Sequence, residues 1–495
     1  MGVVLIWKVL NAETSVSMRD FADCLSYRGA AKCALVSPMT RLLITVLCLA
    51  VCVDSLAAAP VAPIPPMKFT HRTLANGLEV YAAPDHATPT VAINVWYHVG
   101  SKDDPEGRSG FAHLFEHIMF KGTRHTKPET IDRLTEDVGG SNNAYTADDV
   151  TVFYEVVPSN HLERLLWAEA DRMTGLNVDD RNFQSEREVV KQEYLQRVEA
   201  EPYGKFGEEI QKKSFAVHPY KRPTIGNIAE LNAATLDNVR AFHTTYYRPD
   251  NATLVVVGDF DPAQLDAWVD KYFGPVAKPG APIPRVTIKE PARTREQRFV
   301  EYDPNVPLPA VAVTFLGPAA RSADSLPLDI AQEILAGGES SRLYQRLVYE
   351  KQVAQSVEFD ADLREDLGLL IFQVVLASGK TVGDVERLLF KELEKIAGEL
   401  VGDGELAKAK NRLLTSRLHE RETCEGKASA LGQAAIVLGD ATRVDSDLGR
   451  LQEVTAEDVQ RAVRAVLTPE NRLVLECFPA AMKPKKPGEK GAAKK

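Results

Sequence analysis

Leu231-Asn-Ala-Ala-Thr-Leu-Asp-Asn-Val239, followed by Pro249-Asp-Asn251, has a counterpart in Leu451-Gln-Glu-Val-Thr-Ala-Glu-Asp-Val459, followed by Pro469-Glu-Asn471. Leu231, Thr235, Val239, Pro249 and Asn251 recur as Leu451, Thr455, Val459, Pro469 and Asn471, each pair 220 positions apart (451 − 231 = 220). In both copies a helix pattern gives way to Pro-x-Asn and then to a hydrophobic strand. Five identities in one register describe a duplicated unit of roughly 200 residues.

Outward from this repeat, strand and helix patterns come in runs. Leu78-Glu-Val-Tyr-Ala, the apolar run from Thr90 to Val99, Val150 to Val157 and Leu254-Val-Val-Val-Gly258 read as strands. Residues 109–121, 162–173 and 180–201 read as helices, the first with Leu114, Phe115, Ile118 and Met119 on one stripe and Gly122 to stop it. Segregated runs predict an α+β fold: two duplicated domains, each a mainly antiparallel sheet with helices packed on one face. The Pro-rich stretch 275–294 is the expected linker between an N-terminal domain, 68–274, and a degenerate C-terminal repeat, 295–480.

The ends read differently. Met39-Thr-Arg-Leu-Leu-Ile-Thr-Val-Leu-Cys-Leu-Ala-Val-Cys-Val leads to Ser55-Leu-Ala-Ala-Ala-Pro60, the build of a secretory signal peptide with a cleavage site before Ala58. Its apolar run is short for a membrane span, and residues 1–38 carry no such pattern, so Met39 reads as the start. Residues 1–58 are thus assigned to the signal and its lead, 59–67 to a stiff proline-rich linker, and 481–495 to a basic disordered tail. A periplasmic or secreted location follows, with no stable membrane span after cleavage. The formal net charge of −10 disfavours a nucleic-acid partner. Of six cysteines, Cys424 and Cys477 alone remain in the mature chain, enough for one disulfide at most and most simply core residues.

His113-Leu-Phe-Glu-His117 carries the chemistry. Two His four apart on a helix are turned by about 400° and rise about 6 Å, so both imidazoles can converge on one zinc. Glu116 lies close enough to that face to act as general base on a metal-activated water. A catalytic zinc takes three protein ligands and leaves one position for water. The third is expected from Glu186-Arg-Glu-Val-Val-Lys-Gln-Glu193, where Glu186 and Glu193, seven apart, share a face. Glu193 is read as the ligand. Glu186 is read as a support behind the site, holding a ligand or the water network.

Gly110-Phe-Ala-His-Leu-Phe-Glu-His-Ile-Met-Phe-Lys-Gly-Thr123 resembles the zinc helix of the pitrilysin-like (M16, inverzincin) metallopeptidases, especially the short bacterial type similar to mitochondrial processing peptidase. The distal Glu follows the second His by 76 positions, as in that family (193 − 117 = 76). Asn143-Ala-Tyr-Thr146, His218-Pro-Tyr220 and Gly258-Asp-Phe-Asp261 match as well. The resemblance implies a zinc endopeptidase with one Zn2+ per chain, acting on peptides or small unfolded proteins. It also implies that Asn143 and the Ala144 backbone bind substrate as an added strand; the turn-rich Gly139-Gly-Ser-Asn-Asn143 leaves a turn role open for Asn143.

One departure stands out. Self-sufficient family members carry an Arg and, seven residues later, a Tyr in the second half. The matching positions here are Val348 and Gln355, with Arg346 and Tyr349 as the alternative alignment. The departure implies a heterodimer in which a related subunit supplies the missing pair. A non-catalytic structural or assembly subunit of the same fold is the competing reading.

Overall fold

The computed structural model describes residues 65–484. The signal-peptide assignment, most of the 59–67 linker and the tail from 485 onward lie outside the described residues. Eleven strands are described: β1 (Thr70–Thr73), β2 (Glu79–Pro84), β3 (Thr90–Tyr97), β4 (Ser141–Thr146), β5 (Thr151–Pro158), β6 (Ala252–Gly258), β7 (Gln297–Asp303), β8 (Ala310–Gly317), β9 (Ala354–Asp362), β10 (Gly368–Leu376) and β11 (Arg472–Pro479). They form a six-stranded sheet in the order β1-β2-β6-β3-β5-β4 and a five-stranded sheet in the order β7-β11-β8-β10-β9. With β1 set aside, the two orders correspond position for position. β2 pairs β6 in parallel and β7 pairs β11 in parallel, while the remaining ladders are antiparallel. The fold is therefore α+β and duplicated.

The repeated residues do the same work in both halves. Thr235 caps the helix Leu236–Tyr246 in a reciprocal box with Asn238, and Thr455 caps Ala456–Val466 in one with Asp458. Leu231, Val239, Leu451 and Val459 are wholly buried. Asn251 Nδ2 donates to Tyr246 O (2.8 Å) and His98 O (3.3 Å), tying the helix end to the sheet. Asn471 Nδ2 donates to Val466 O and Leu316 O, both at 2.9 Å.

Each half's own helices build a core on one face of its sheet. In the first half Phe111, Leu114, Phe115 and Ile118 pack there against Val91, Ile93 and Val95. The opposite face is covered by a helix from the other half. Helix Cys424–Ile436 lays Ala428, Leu431 and Ala434 on Ala92, Trp96, Val152, Val255 and Val257. Helix Gly204–Ser214 lays Phe206 and Ile210 on Ala310, Ala312, Leu473 and Leu475. Both faces being buried explains why β3 reads as a nearly continuous apolar run. Gly432 marks a close approach: a Cβ there would clash with Cε2 and Nε1 of the Trp96 indole. Gly432→Ala is expected to cost about 1–3 kcal/mol through overpacking, read as a lower unfolding midpoint. An unchanged midpoint would mean that this interface is loose.

A buried polar junction also joins the halves. Lys102 Nζ meets Asp149 (2.9 Å) and, across the junction, Glu365 (2.7 Å) and Asp366 (3.3 Å). His98 Nε2 and Arg321 NH2 also reach Glu365. The His218-Pro-Tyr220 stretch serves this junction: Tyr220 OH donates to Asp149 Oδ1 at 2.5 Å and accepts from the Asp366 backbone N–H. Burial opposes ionisation of Glu365, but the hydrogen bonds and charges of His98 and Lys102 outweigh it and hold its carboxyl down to about 2. A depressed folded pKa gives stability that is complete above the ordinary Glu range and is lost as pH falls from about 4.5 toward 2. The denaturation midpoint is thus expected to drop between pH 5 and pH 3, and Glu365→Gln to flatten that drop. An equally steep loss in the variant would exclude Glu365 as its source.

Cys424 and Cys477 are both free and buried, in different hydrophobic clusters, so they do not pair.

Candidate metal centre

The expected helix 109–121 is Phe111–Ile118, entered through Gly110 in the left-handed region. Its core stripe points Leu114, Phe115 and Ile118 inward, which turns His113 and His117 toward a second helix, Asp180–Tyr194. Asp179 caps that helix by accepting from Asn182 N. The expected span 180–201 continues past Tyr194 as a widened π-helical segment, Leu195–Ala200, and ends before Pro202. Such segments are frequent beside functional sites.

Between these helices three side chains meet. His117 Nε2 lies 3.3 Å and His113 Nε2 3.7 Å from Glu193 Oε2. One ligand atom from each of the three falls within 4.8 Å of the others. A tetrahedral zinc with bonds of about 2.0–2.1 Å separates neighbouring ligand atoms by roughly 3.3 Å, so the donor set fits such an ion. Burial and the charge of His117 push His113 down to about 4, which leaves it neutral with a lone pair to give. Burial pulls His117 down as well, but the nearby carboxylates of Glu186 and Glu193 prevail and raise it to about 9. Holding a cation therefore requires that proton to leave. Glu193 Oε1 is engaged by Arg197 NH1 at 2.8 Å, which leaves Oε2 toward the two imidazoles.

Glu186 is nearly fully buried and stands behind His117, with Oε2 3.8 Å from Nδ1 and Oε1 3.1 Å from Lys121 Nζ. Glu116 is turned to β4, where Thr146 Oγ1 donates to its Oε2 at 2.6 Å. Burial raises the Glu116 carboxyl above its ordinary range, only partly offset by that hydrogen bond. Asn143 lies within β4, the outermost strand of the first sheet, rather than in a turn. Its side chain is exposed and its carbonyl accepts from Ala144 N at 2.8 Å, whereas Ala144 is buried. Lys121, Thr146 and Arg197 received no role from sequence reasoning. Thr146 closes a motif quoted there, but its partner is 30 positions away.

The second half has a different pairing at the matching place. Gly122 (φ +89°) and Gly338 (φ +87°) both follow the helix after the second long strand, 216 positions apart (338 − 122 = 216). Counted back from them, His113 and His117 correspond to Asp329 and Glu333 on helix Ser325–Ala336. These carboxylates meet Arg417 (2.6 Å) and Arg412 (2.7 Å) on helix Asp403–Glu420. Carboxylate–guanidinium pairs satisfy one another without an ion. Val348 and Gln355 offer neither guanidinium nor phenol. Arg346 is bound to Glu350 at 2.8 Å, and Tyr349 is 71% exposed.

Comparison with known proteins agrees with this architecture. The family description "Insulinase (Peptidase family M16)" matches residues 79–227, and "Peptidase M16 inactive domain" matches 233–413. The zinc protease PqqE of Helicobacter pylori is 31% identical over 344 residues, covering 68% of this chain and 77% of that protein. The probable mitochondrial-processing peptidase subunit beta of Arabidopsis thaliana is 25% identical over 398 residues, 79% of this chain and 74% of that one. The crystal structure of a protease from Helicobacter pylori superposes with a TM-score of 0.80 at 26% identity, over 83% of this chain and all of that one. The chain belongs to the pitrilysin-like peptidase family M16. Its fold is of the metallopeptidase type shared with relatives named zinc proteases.

Proposed function

We propose that this chain is a zinc-dependent endopeptidase acting on peptides or small unfolded proteins, and the catalytic member of a heterodimer. The observation that carries the reading is the convergence of His113, His117 and Glu193 from two adjoining helices, with Glu116 on the same side. These three residues would hold one Zn2+, which would supply Lewis acidity and lower the pKa of a water there to about 7. Glu186 and Lys121 keep His117 turned toward the site. Arg197 holds the free oxygen of Glu193. Glu116, its Oε2 held by Thr146, would take a proton from the attacking water at its other oxygen as the water oxygen bonds to the scissile carbonyl carbon, and give it to the amide nitrogen as the C–N bond breaks. The free edge of β4 binds substrate through Asn143 and the Ala144 backbone as an added strand, which gives affinity with loose sequence demand.

The two-half division at 275–294 and export to the periplasm or beyond belong to the same reading. No helix among the described residues is long and apolar enough to cross a membrane. The partner is read from Val348 and Gln355: a related subunit lends the Arg and Tyr donors that stabilise the oxyanion. The test is the purified chain, assayed for metal and for hydrolysis of an unfolded peptide, alone and with a related chain that carries that pair. One zinc per chain is expected, with hydrolysis abolished by chelator, restored by zinc, and much faster in the mixture. Full activity alone would remove the heterodimer. Absence of zinc would leave the assembly-subunit reading.

A further inference from the structure

We propose that Thr146 is a positioning residue that ties the base Glu116 to the junction between the two halves. This rests on the peptidase reading above, in which Glu116 moves the proton. Thr146 is the last residue of β4 and donates through Oγ1 to Glu116 Oε2 at 2.6 Å. A hydrogen bond to a carboxylate is directional and strong. It fixes one oxygen and leaves the other for proton transfer. Without it the Glu116 side chain is free to turn about three bonds.

What fixes Thr146 is the turn that follows it. Thr146 pairs with Thr151 of β5, and Ala147 N donates to Val150 O at 2.8 Å. Thr151 Oγ1 is anchored on Val99 O. Both aspartates of the turn are held from the second half. Asp148 Oδ2 meets Arg364 NH1 at 3.2 Å, and its other oxygen accepts from Ser101 Oγ. Asp149 Oδ2 accepts from the backbone N–H of Glu365 at 2.9 Å. Arg364 and Glu365 follow β9, so the second half grips the turn two and three residues beyond Thr146. A displacement of that half moves the turn, the turn moves Thr146, and Thr146 moves the base. The half without H-x-x-E-H thereby acts on the chemistry without touching the metal ligands.

The test uses the full chain, zinc-loaded and with its partner subunit if one is required, on a quenched fluorogenic peptide. Thr146→Val keeps the shape and strand preference and removes the donor. It is expected to lower kcat about 10- to 100-fold, with KM and zinc content unchanged. Thr146→Ser, which restores the donor, should recover most of that loss. Asp148→Asn, which weakens the grip on the turn, should lower kcat in the wild type and add little to Thr146→Val, because both act through one contact. Wild-type kcat in Thr146→Val overturns the positioning role, as does equal loss in Thr146→Ser and Thr146→Val. Fully additive losses for Asp148→Asn and Thr146→Val overturn the link to the junction. If the wild type hydrolyses nothing, the peptidase reading itself falls and this one with it.

Discussion

Glu116→Gln is expected to leave a folded, zinc-containing chain that has lost peptide hydrolysis by at least two to four decades. The amide has the size of the carboxylate, and its oxygen still accepts from Thr146 Oγ1, so packing and the contact to β4 are kept. None of the proposed metal ligands is touched, since His113, His117 and Glu193 can supply a donor set without it. What disappears is a group able to accept a proton at neutral pH, because an amide has no accessible basic form. Stability should rise slightly if it changes at all, since a buried carboxylate costs desolvation that a neutral amide does not. Metal analysis and steady-state rates on the same sample decide it. Retained hydrolysis would refute Glu116 as the base, and loss of zinc would mean it belongs to the coordination shell.

The second large effect is on the metal itself. Glu193→Ala removes the proposed ligand oxygen, which lies 3.3 and 3.7 Å from the two imidazole nitrogens. Two His alone hold zinc far more weakly than a three-ligand set. Glu186→Ala removes a group 3.8 Å from His117 Nδ1, outside bonding distance of the ion's own donors. A loss of about 10- to 100-fold in affinity is expected for such a support, and a clearly larger one for Glu193→Ala. Zinc competition titrations of both variants against a chelator of known affinity supply the comparison. Equal losses would reverse the assignment of ligand and support. Glu186→Ala also leaves Lys121 facing a mostly buried space without its counter-charge, so its unfolding midpoint should fall more than that of Glu193→Ala.

How much of this was legible beforehand depends on the range of the interaction. Helical rotation places His113 and His117 on one face whatever surrounds them, because four residues make little more than one turn. The 220-residue repeat was likewise readable. Its Thr caps and Pro-x-Asn turns act within a few positions of themselves, and the structure shows them closing the same helix-to-strand corner twice. Asn143 was ambiguous for the opposite reason. A glycine-rich approach and an edge strand share local composition, and pairing with β5 decides between them.

The sequence by itself therefore determined the class of fold, the duplication and the helix that presents H-x-x-E-H. Each of these is written in a period or a short spacing. Only the tertiary structure decided that each half covers the far side of the other's sheet with a borrowed helix. It also decided that Asp329 and Glu333 meet arginines where the first half has imidazoles, and that Thr146 reaches Glu116. Those pairings join side chains tens to hundreds of positions apart. Which distant surfaces meet is settled by the packing of whole faces, not by any local preference.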